Sequence, residues 1–409
     1  MSNKPRILIV AGYFDWFSGY QETALSRALV NYCDVTVVAS DRVNPIFTDQ
    51  HLGHIGVSRR YKNLDCVEHG VRVRRFRSLE LRSMLVSTSA IRHLMAEHWD
   101  AVIQAMPGQV LPAFGNLASP SSAHVVLYGD NSAMYANLST LVAGAKRTMF
   151  YLTKGPMYWA VNRKADVVYG YTPNTQKLID RIPSRSECRL LPLSYDQSAF
   201  FYSDSLREET RRRFGFDESD FVVVAPGKPQ KQKKLDELLE FFDASCLEDQ
   251  TVRLVFAGLG SDDASNLLRR KAETAKYRDS ITLLPFIDSQ SLNELFNAAD
   301  LGIWPAMPAI TIQQAMGTGL PVLIPNNDIL RHLIKSDSQG TFLKSFPGDL
   351  AAVVESARGN VASGPHLRRH NRAQAAWLSN DGIARSVIKD ALPHLTINRV
   401  FEDEPGPRT

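Results

Sequence analysis

Two series of short, continuously apolar runs, each alternating with amphipathic segments, constrain this chain more than any other feature. The first series comprises residues 7–13 (ILIVAGY), 34–40 (DVTVVAS), 100–105 (DAVIQA), 124–129 (HVVLYG) and 165–173 (ADVVYGYTP). Runs without polar alternation mark strands buried on both faces, the situation created when helices cover both sides of a parallel sheet. Residues 20–30 place Leu25, Leu29 and Val30 near helical spacing, and residues 71–76 (VRVRRF) alternate as a half-exposed strand should. Residues 134–163 form a long basic, aromatic-rich helical stretch. After a charged amphipathic segment at 205–216 the series restarts. It runs through 221–228 (FVVVAPGK), 253–260 (RLVFAGLG), 281–287 (ITLLPFI), 300–305 (DLGIWP) and 321–325 (PVLIP).

Such a strand–helix series predicts an α/β chain of two doubly wound, Rossmann-like domains whose sheets turn their carboxyl ends to a cleft. The expected division is 1–195 for the first domain and 196–375 for the second. Residues 376–400 are expected to form a helix packing back towards the first domain. Residues 401–409, polar and proline-rich, are expected to be disordered.

Composition excludes several classes. A formal net charge of +4 is too mild to imply a nucleic-acid partner. Cys33, Cys66, Cys188 and Cys246 are far apart and show no metal or redox spacing, which suits reduced thiols in a cytoplasmic protein. No apolar run approaches the roughly 20 residues a membrane helix needs, so any membrane role would be peripheral.

One stretch departs from the average. The chain is 22% charged, yet residues 301–327 contain no Asp, Glu, Lys, Arg or His. Within them a strand empties through a proline-broken turn into a small-residue helix. The free N–H groups of Ala309, Ile310 and Thr311 would open that helix, and its dipole would favour an anion there. A buried strand–helix unit without a ligand would read the same way. A second element lies after the strand ending at Ala225, where Lys228 falls in the turn and Lys233 opens the next helix. Two lysines at that spacing can reach one anion, although lysine-rich turns are also common on solvated surfaces.

These residues carry a resemblance. The second half resembles the C-terminal domain of retaining GT-B glycosyltransferases, in the family called glycosyl transferases group 1. The family's Gly-Arg…Glu-Lys-Gly pattern meets Gly227-Lys228…Gln232-Lys233-Lys234, and its Gly-x-Gly loop meets Gly258-Leu259-Gly260. Its Gly-Phe-Val turn meets Pro285-Phe286-Ile287, and its Leu-Tyr-x-x-Ala-Asp helix end meets Leu295-Phe296-Asn297-Ala298-Ala299-Asp300. Its Glu-Ala-Met-x-x-Gly-Leu-Pro-Val run meets residues 314–322. Together the pattern covers roughly residues 185 to 330.

The resemblance implies roles. Lys228 and Lys233 would grip the donor's diphosphate and stabilise the leaving group, with backbone N–H bonds from Ala309, Ile310 and Thr311. Phe286, Ile287, Gly258 and Gln314 would surround the nucleoside. The donor would be a UDP- or GDP-linked sugar, with no metal and no further cofactor. The acceptor would be a glycan or a lipid-linked glycan. The family carries two glutamates eight positions apart on this element; here they are Ala306 and Gln314, so the contact to the donor sugar differs. In the first domain Gly19 stands where the family's Gly-Gly turn approaches the reacting groups. Asp130 is the candidate side chain at the donor or acceptor, with helix N-capping as its alternative role. Asp15 would serve as base only in an inverting enzyme.

The remaining features are less directive. Residues 146–164 mix basic and aromatic side chains, which suits core packing or an anionic membrane face. His366 and His370 lack a third ligand and read as structural. Two rival functions stand beside sugar transfer in polysaccharide or glycolipid assembly. One is a nucleotide-sugar epimerase of the same fold, which would need acid–base groups that residues 301–327 lack. The other is a nucleotide-sugar-binding subunit without catalysis.

Overall fold

In a computed structural model, which describes residues 4–81, 84–105, 108–129, 140–246, 248–249, 251–360 and 364–393, each apolar series forms its own sheet. Contacts divide the chain into two units. One comprises the residues up to Pro192 together with the segment from Asn380, and the other is Leu193–Ser379.

The first unit begins β1 (Arg6–Val10), α1 (Gln21–Leu29), β2 (Asp34–Ser40), α2 (Asp49–His54), β3 (Asp65–Glu68) and β4 (Val71–Phe76). A small hairpin follows, β5 (Leu79–Leu81) and β6 (Met84–Val86), then α3 (Thr88–Ala96), β7 (Trp99–Ala105), α4 (Val110–Ala118) and β8 (Ser121–Tyr128). Next come α5 (Thr140–Thr153), α6 (Gly155–Lys164), β9 (Val167–Gly170), α7 (Pro173–Ile179) and β10 (Cys188–Leu190). Its sheet has the order β10-β9-β8-β7-β1-β2-β4-β3, parallel except at the β3–β4 edge.

The second unit contains α8 (Asp204–Phe214), β11 (Phe221–Pro226), α9 (Leu235–Ser245), β12 (Val252–Leu259), α10 (Asp263–Thr274) and β13 (Ile281–Pro285). It continues with α11 (Ser289–Ala298), β14 (Leu301–Ile303), α12 (Ile310–Gly317), β15 (Val322–Pro325), β16 (Gly340–Leu343), α13 (Leu350–Asn360) and α14 (Gly364–Ala375). The all-parallel sheet runs β13-β12-β11-β14-β15-β16. The order therefore reverses between β11 and β14.

Burial explains the runs. Along β11, Phe221, Val223 and Ala225 pack with Leu235, Leu238 and Phe242 of α9. The alternate residues Val222 and Val224 pack with Phe296, Trp304 and Ile312 on the other face. Val222, Val223 and Val224 have no solvent exposure. Each fully buried side chain of this size contributes about 1.5–3 kcal/mol, so two-sided burial is the main cohesive term of the unit. In the first unit, Leu8 and Val10 pack against Ala90, Leu94 and Leu111.

The expected half-exposed strand at 71–76 is β4, with Val71 and Val73 buried. Arg75 is buried beside them because its guanidinium donates to the Phe14 carbonyl and stacks on Tyr61. The single helical stretch read at 134–163 is a pair of helices over its described part, with Pro156 in the opening turn of α6. The last described helix, α15 (Asn380–Ala391), buries Ile383, Ala384, Val387 and Ile388. Tyr32 donates to Asp381, and Tyr169 donates to Asp390 at 2.6 Å. The residues 401–409, expected to be disordered, lie outside the described residues. At the start of the second unit, the Tyr195 N–H donates to the Leu378 carbonyl at 3.0 Å.

The Ala-Asp ending of α11 has a clear structural task. Asp300 is buried, accepts from Arg207 at 2.6 Å and Arg211 at 3.2 Å, and takes the Val222 N–H at 2.8 Å. Arg207 also donates to the carbonyls of Asn297, Ala298 and Ala299, which end α11. Removing one partner of a buried pair costs about 3–5 kcal/mol, because the others are left uncompensated. Asp300→Ala is therefore expected to lower the unfolding free energy by about 3 kcal/mol, read from the urea midpoint of the purified chain.

Candidate functional site

In doubly wound sheets, ligands bind beyond the carboxyl ends of the strands where their order reverses. In the second unit that place lies between β11 and β14, which pair through Val223–Leu301 and Val224–Gly302. The segments leaving these two neighbouring strands carry Lys228, Lys233, Ala309, Ile310 and Thr311.

The loop after β11 starts at Gly227, with φ +128°, a region open to glycine at little cost. A Cβ there would lie 2.9 Å from Lys233 Nζ, so the ammonium rests against the Gly227 backbone. Gly258, with φ +112°, lies at the same edge, where a Cβ would meet the Gly227 carbonyl carbon at 2.9 Å. Gly258 thus packs backbone on backbone against this loop, a role the expected nucleoside contact did not include.

The two lysines differ. Lys228 is exposed and pairs with Asp262 at 3.4 Å. Asp262 is itself engaged as the N-cap of α10. An exposed pair of this kind contributes at most about 1 kcal/mol. Lys233 ends a single 3-10 turn and is half-buried, and no carboxylate among the described residues pairs with it. Burial pushes its pKa down. A neighbouring anion would reverse that shift, since an opposite charge favours the protonated amine.

Across the reversal, α12 opens at Ala309, whose backbone is extended and whose side chain provides no cap. The N–H groups of Ala309, Ile310 and Thr311 meet no acceptor among the described residues. The side chain of Ile310 is exposed, and that of Thr311 accepts the indole N–H of Trp304 at 2.9 Å. Uncapped amides at a helix start favour an anion. Gln314 is half-buried on the same helix, its amide without a partner among the described residues. Ala306 sits in the preceding turn and offers no polar side chain. Phe286, at the end of the outer strand β13, is 83% exposed, and Ile287 beside it is partly buried.

The first unit holds the other candidates. Gly19 follows a 3-10 turn with φ +66° and leads into α1, and a Cβ there would meet open space. Its backbone angle, not crowding, is what suits glycine. Asp130 lies outside the described residues. Asp15 is buried and committed, accepting from Tyr61 at 2.9 Å and from the Asn44 N–H at 3.1 Å. Those bonds describe a loop anchor. His366 and His370 are exposed on α14, and His370 is bonded to Gln374 at 2.8 Å.

Two residues were not singled out in the sequence. Trp304 is one; a glycine two positions before it on the same strand face is the available signal. Glu22 is the other, a buried carboxyl in the first turn of α1, three residues after Gly19. Burial pushes its pKa up to about 7, with Asp15 adding in the same direction. Among the described residues no group of three His, Cys, Asp or Glu could hold a metal ion, and no helix is long and apolar enough to cross a membrane.

Comparison with known proteins follows this geometry. Residues 206–367 match the family model described as Glycosyl transferases group 1. Mannosylfructose-phosphate synthase of Agrobacterium fabrum is 26% identical over 176 residues, covering 40% of this chain and 38% of that protein. Alpha-monoglucosyldiacylglycerol synthase of Streptococcus pneumoniae is 22% identical over 224 residues, covering 53% of this chain and 49% of that protein. The matches span less than half of each relative's own length. The crystal structure of HepE from Anabaena with UDP superimposes with a TM-score of 0.68 at 15% identity, covering 94% of this chain and 98% of that one. HepE with UDP-glucose gives 0.64. The fold is α/β with parallel sheets, close to GT-B glycosyltransferase structures, as the sequence led one to expect.

Glu22 gives a testable linkage. Its folded pKa lies above the ordinary 4.5, so the folded state holds the proton more tightly. The stability it contributes is complete below pH 4.5 and falls as pH rises through about 7. Glu22→Gln, which cannot ionise, is expected to exceed the wild type by about 3 kcal/mol at pH 8. The gap should close towards pH 4.5, read from urea unfolding across that range.

Proposed function

We propose that this protein transfers a glycosyl group from a UDP- or GDP-linked donor to a glycan or lipid-linked acceptor, in surface polysaccharide or glycolipid assembly. The reading includes retention of anomeric configuration, no metal, and no cofactor beyond the donor. The observation that carries it is Lys233: a half-buried cation without a counter-charge among the described residues, in the loop after β11, the strand paired with the β14 that leads to the uncapped amides of α12. The match of residues 206–367 to a glycosyltransferase family supports it, as does the likeness to a fold crystallised with UDP and UDP-glucose.

In this reading the bond between the anomeric carbon and the phosphate oxygen breaks as the acceptor oxygen bonds to that carbon. The acceptor proton passes to the departing phosphate, so no protein base is consumed. Negative charge grows on the diphosphate while the sugar becomes oxocarbenium-like. Donors aimed at that growing charge lower the barrier more than they strengthen the ground state. Lys233 and the α12 amides hold the phosphates, and Phe286 offers its exposed ring to the base. Gln314 offers an amide able to donate and accept towards ribose hydroxyls. Lys228 joins on release from Asp262.

Lys233→Ala is expected to lower kcat/KM by about a hundredfold or more, with an unchanged circular dichroism spectrum. Lys228→Ala should cost less, because that lysine is exposed and already paired. A radiolabelled-donor transfer assay measures both, and equal, small effects would reject the assignment.

A second reading has one observation behind it. Ala306 leaves the donor sugar without the acidic contact that glycosyltransferases of this type carry, which suits a subunit that binds nucleotide sugar without turning it over. Tight donor binding with neither hydrolysis nor transfer across a broad acceptor panel would favour that reading.

The place of action in this reading is the cytoplasmic side of a membrane, in peripheral contact. On α6, Trp159 is 43% exposed and carries the Arg163 guanidinium 4.9 Å from its ring. On α5, Met149 and Leu152 are exposed. Apolar and cationic groups together suit an anionic lipid face. Co-sedimentation with phosphatidylglycerol vesicles is expected, with none on phosphatidylcholine alone. Trp159→Ala should reduce the bound fraction at least threefold.

A further inference from the structure

We propose that Trp304 is a positioning residue that turns the Thr311 hydroxyl into a side-chain donor for the donor's phosphates. This deepens the diphosphate reading above and rests on it. An indole N–H only donates, so the 2.9 Å contact fixes Thr311 Oγ1 as the acceptor. A helical threonine often sends its hydroxyl proton back to a carbonyl one turn earlier. No such bond forms here, and the Thr311 hydroxyl proton has no acceptor among the described residues. One lone pair is engaged from the core side, and the proton is left to point away from the indole. Thr311 is partly exposed and stands in the first turn of α12, among amides that also lack acceptors.

The packing holds the indole in place. Trp304 is 4% exposed at the end of β14. Gly302 lies two residues earlier on the same face of the strand, and a Cβ there would fall 2.6 Å from the indole Cζ3 and 2.8 Å from Cη2. Any larger residue would displace the ring. Gly302 weakens the strand as a β-former, and its compensation is the seat it provides. Phe296 flanks the ring at 6.4 Å between centroids. The indole is therefore fixed by core packing, and it transmits that fixity to one hydroxyl at the edge of the site.

The test compares probes with and without phosphates. UDP and GDP, and the nucleosides uridine and guanosine, are titrated by calorimetry or by competition. The proteins are the full-length wild type, Thr311→Val, Thr311→Ser and Trp304→Phe. Valine keeps the shape of threonine and loses the hydroxyl, serine keeps the hydroxyl, and phenylalanine keeps a ring over Gly302 without the N–H. Thr311→Val is expected to weaken the bound diphosphate about tenfold while leaving nucleoside affinity within twofold, with Thr311→Ser restoring most of the loss. Trp304→Phe should weaken the diphosphate about threefold and likewise spare the nucleoside. The inference is overturned if Thr311→Val holds diphosphate within twofold, or if nucleoside and diphosphate weaken in parallel, as a merely structural role requires. Failure of the wild type to bind either UDP or GDP would instead sink the donor reading itself.

Discussion

Covering a parallel sheet on both faces is the constraint on which the rest of the second unit depends. Once β11 sends Val222 and Val224 to one side and Val223 and Ala225 to the other, no charged side chain fits anywhere along the strand. The same demand extends over β14, α12 and β15. Chemistry is thereby pushed to the strand ends, where the backbone itself supplies donors and where a few long side chains reach in from the loops. The reversal of strand order between β11 and β14 decides which ends matter, because only there do adjacent loops diverge to opposite faces.

That constraint divides the uncharged stretch into two parts with different causes. Residues 301–305 and 312–324 are almost wholly buried, so their lack of charge follows from packing. Residues 306–311 are partly or fully exposed, and a charged side chain would fit there without a burial cost. In this short segment, at the start of α12, the absence of acid is not explained by packing and says something about a ligand. Read as one block, the sequence could not separate the two causes; the solvent exposure of each residue does.

Legibility followed burial. Strands covered on both faces were readable because the apolar run leaves no other interpretation. The edge strand β3, the hairpin β5–β6 and helix α3 were not readable. They are short and largely exposed, with no periodicity long enough to register. At the candidate site the sequence located the turn after β11 and the start of α12, yet it put Lys233 at the opening of a helix that starts two residues later at Leu235, and it could not rank Lys228 against Lys233. Their difference is a matter of exposure and of Asp262, which lies far along the chain. Asp15 read as a base for an inverting enzyme, and only the fold brings Tyr61 and Asn44 to it. Gly258 looked like part of a nucleoside loop, and only the fold shows its backbone lying on that of Gly227. The partnership of Trp304 with Thr311 joins residues seven apart across a turn, a separation that neither helix nor strand periodicity brings together.

Helix α15 gives the architecture a further consequence. Because Asn380–Ala391 completes the first unit, the second is an insertion within it, and its two ends are joined by the Tyr195–Leu378 backbone bond. A stop codon placed near residue 380 would therefore leave the later-encoded unit whole while stripping a buried helix from the earlier one. On a ribosome the first unit cannot finish folding until α15 has emerged, so the early part of the chain waits upon a late one.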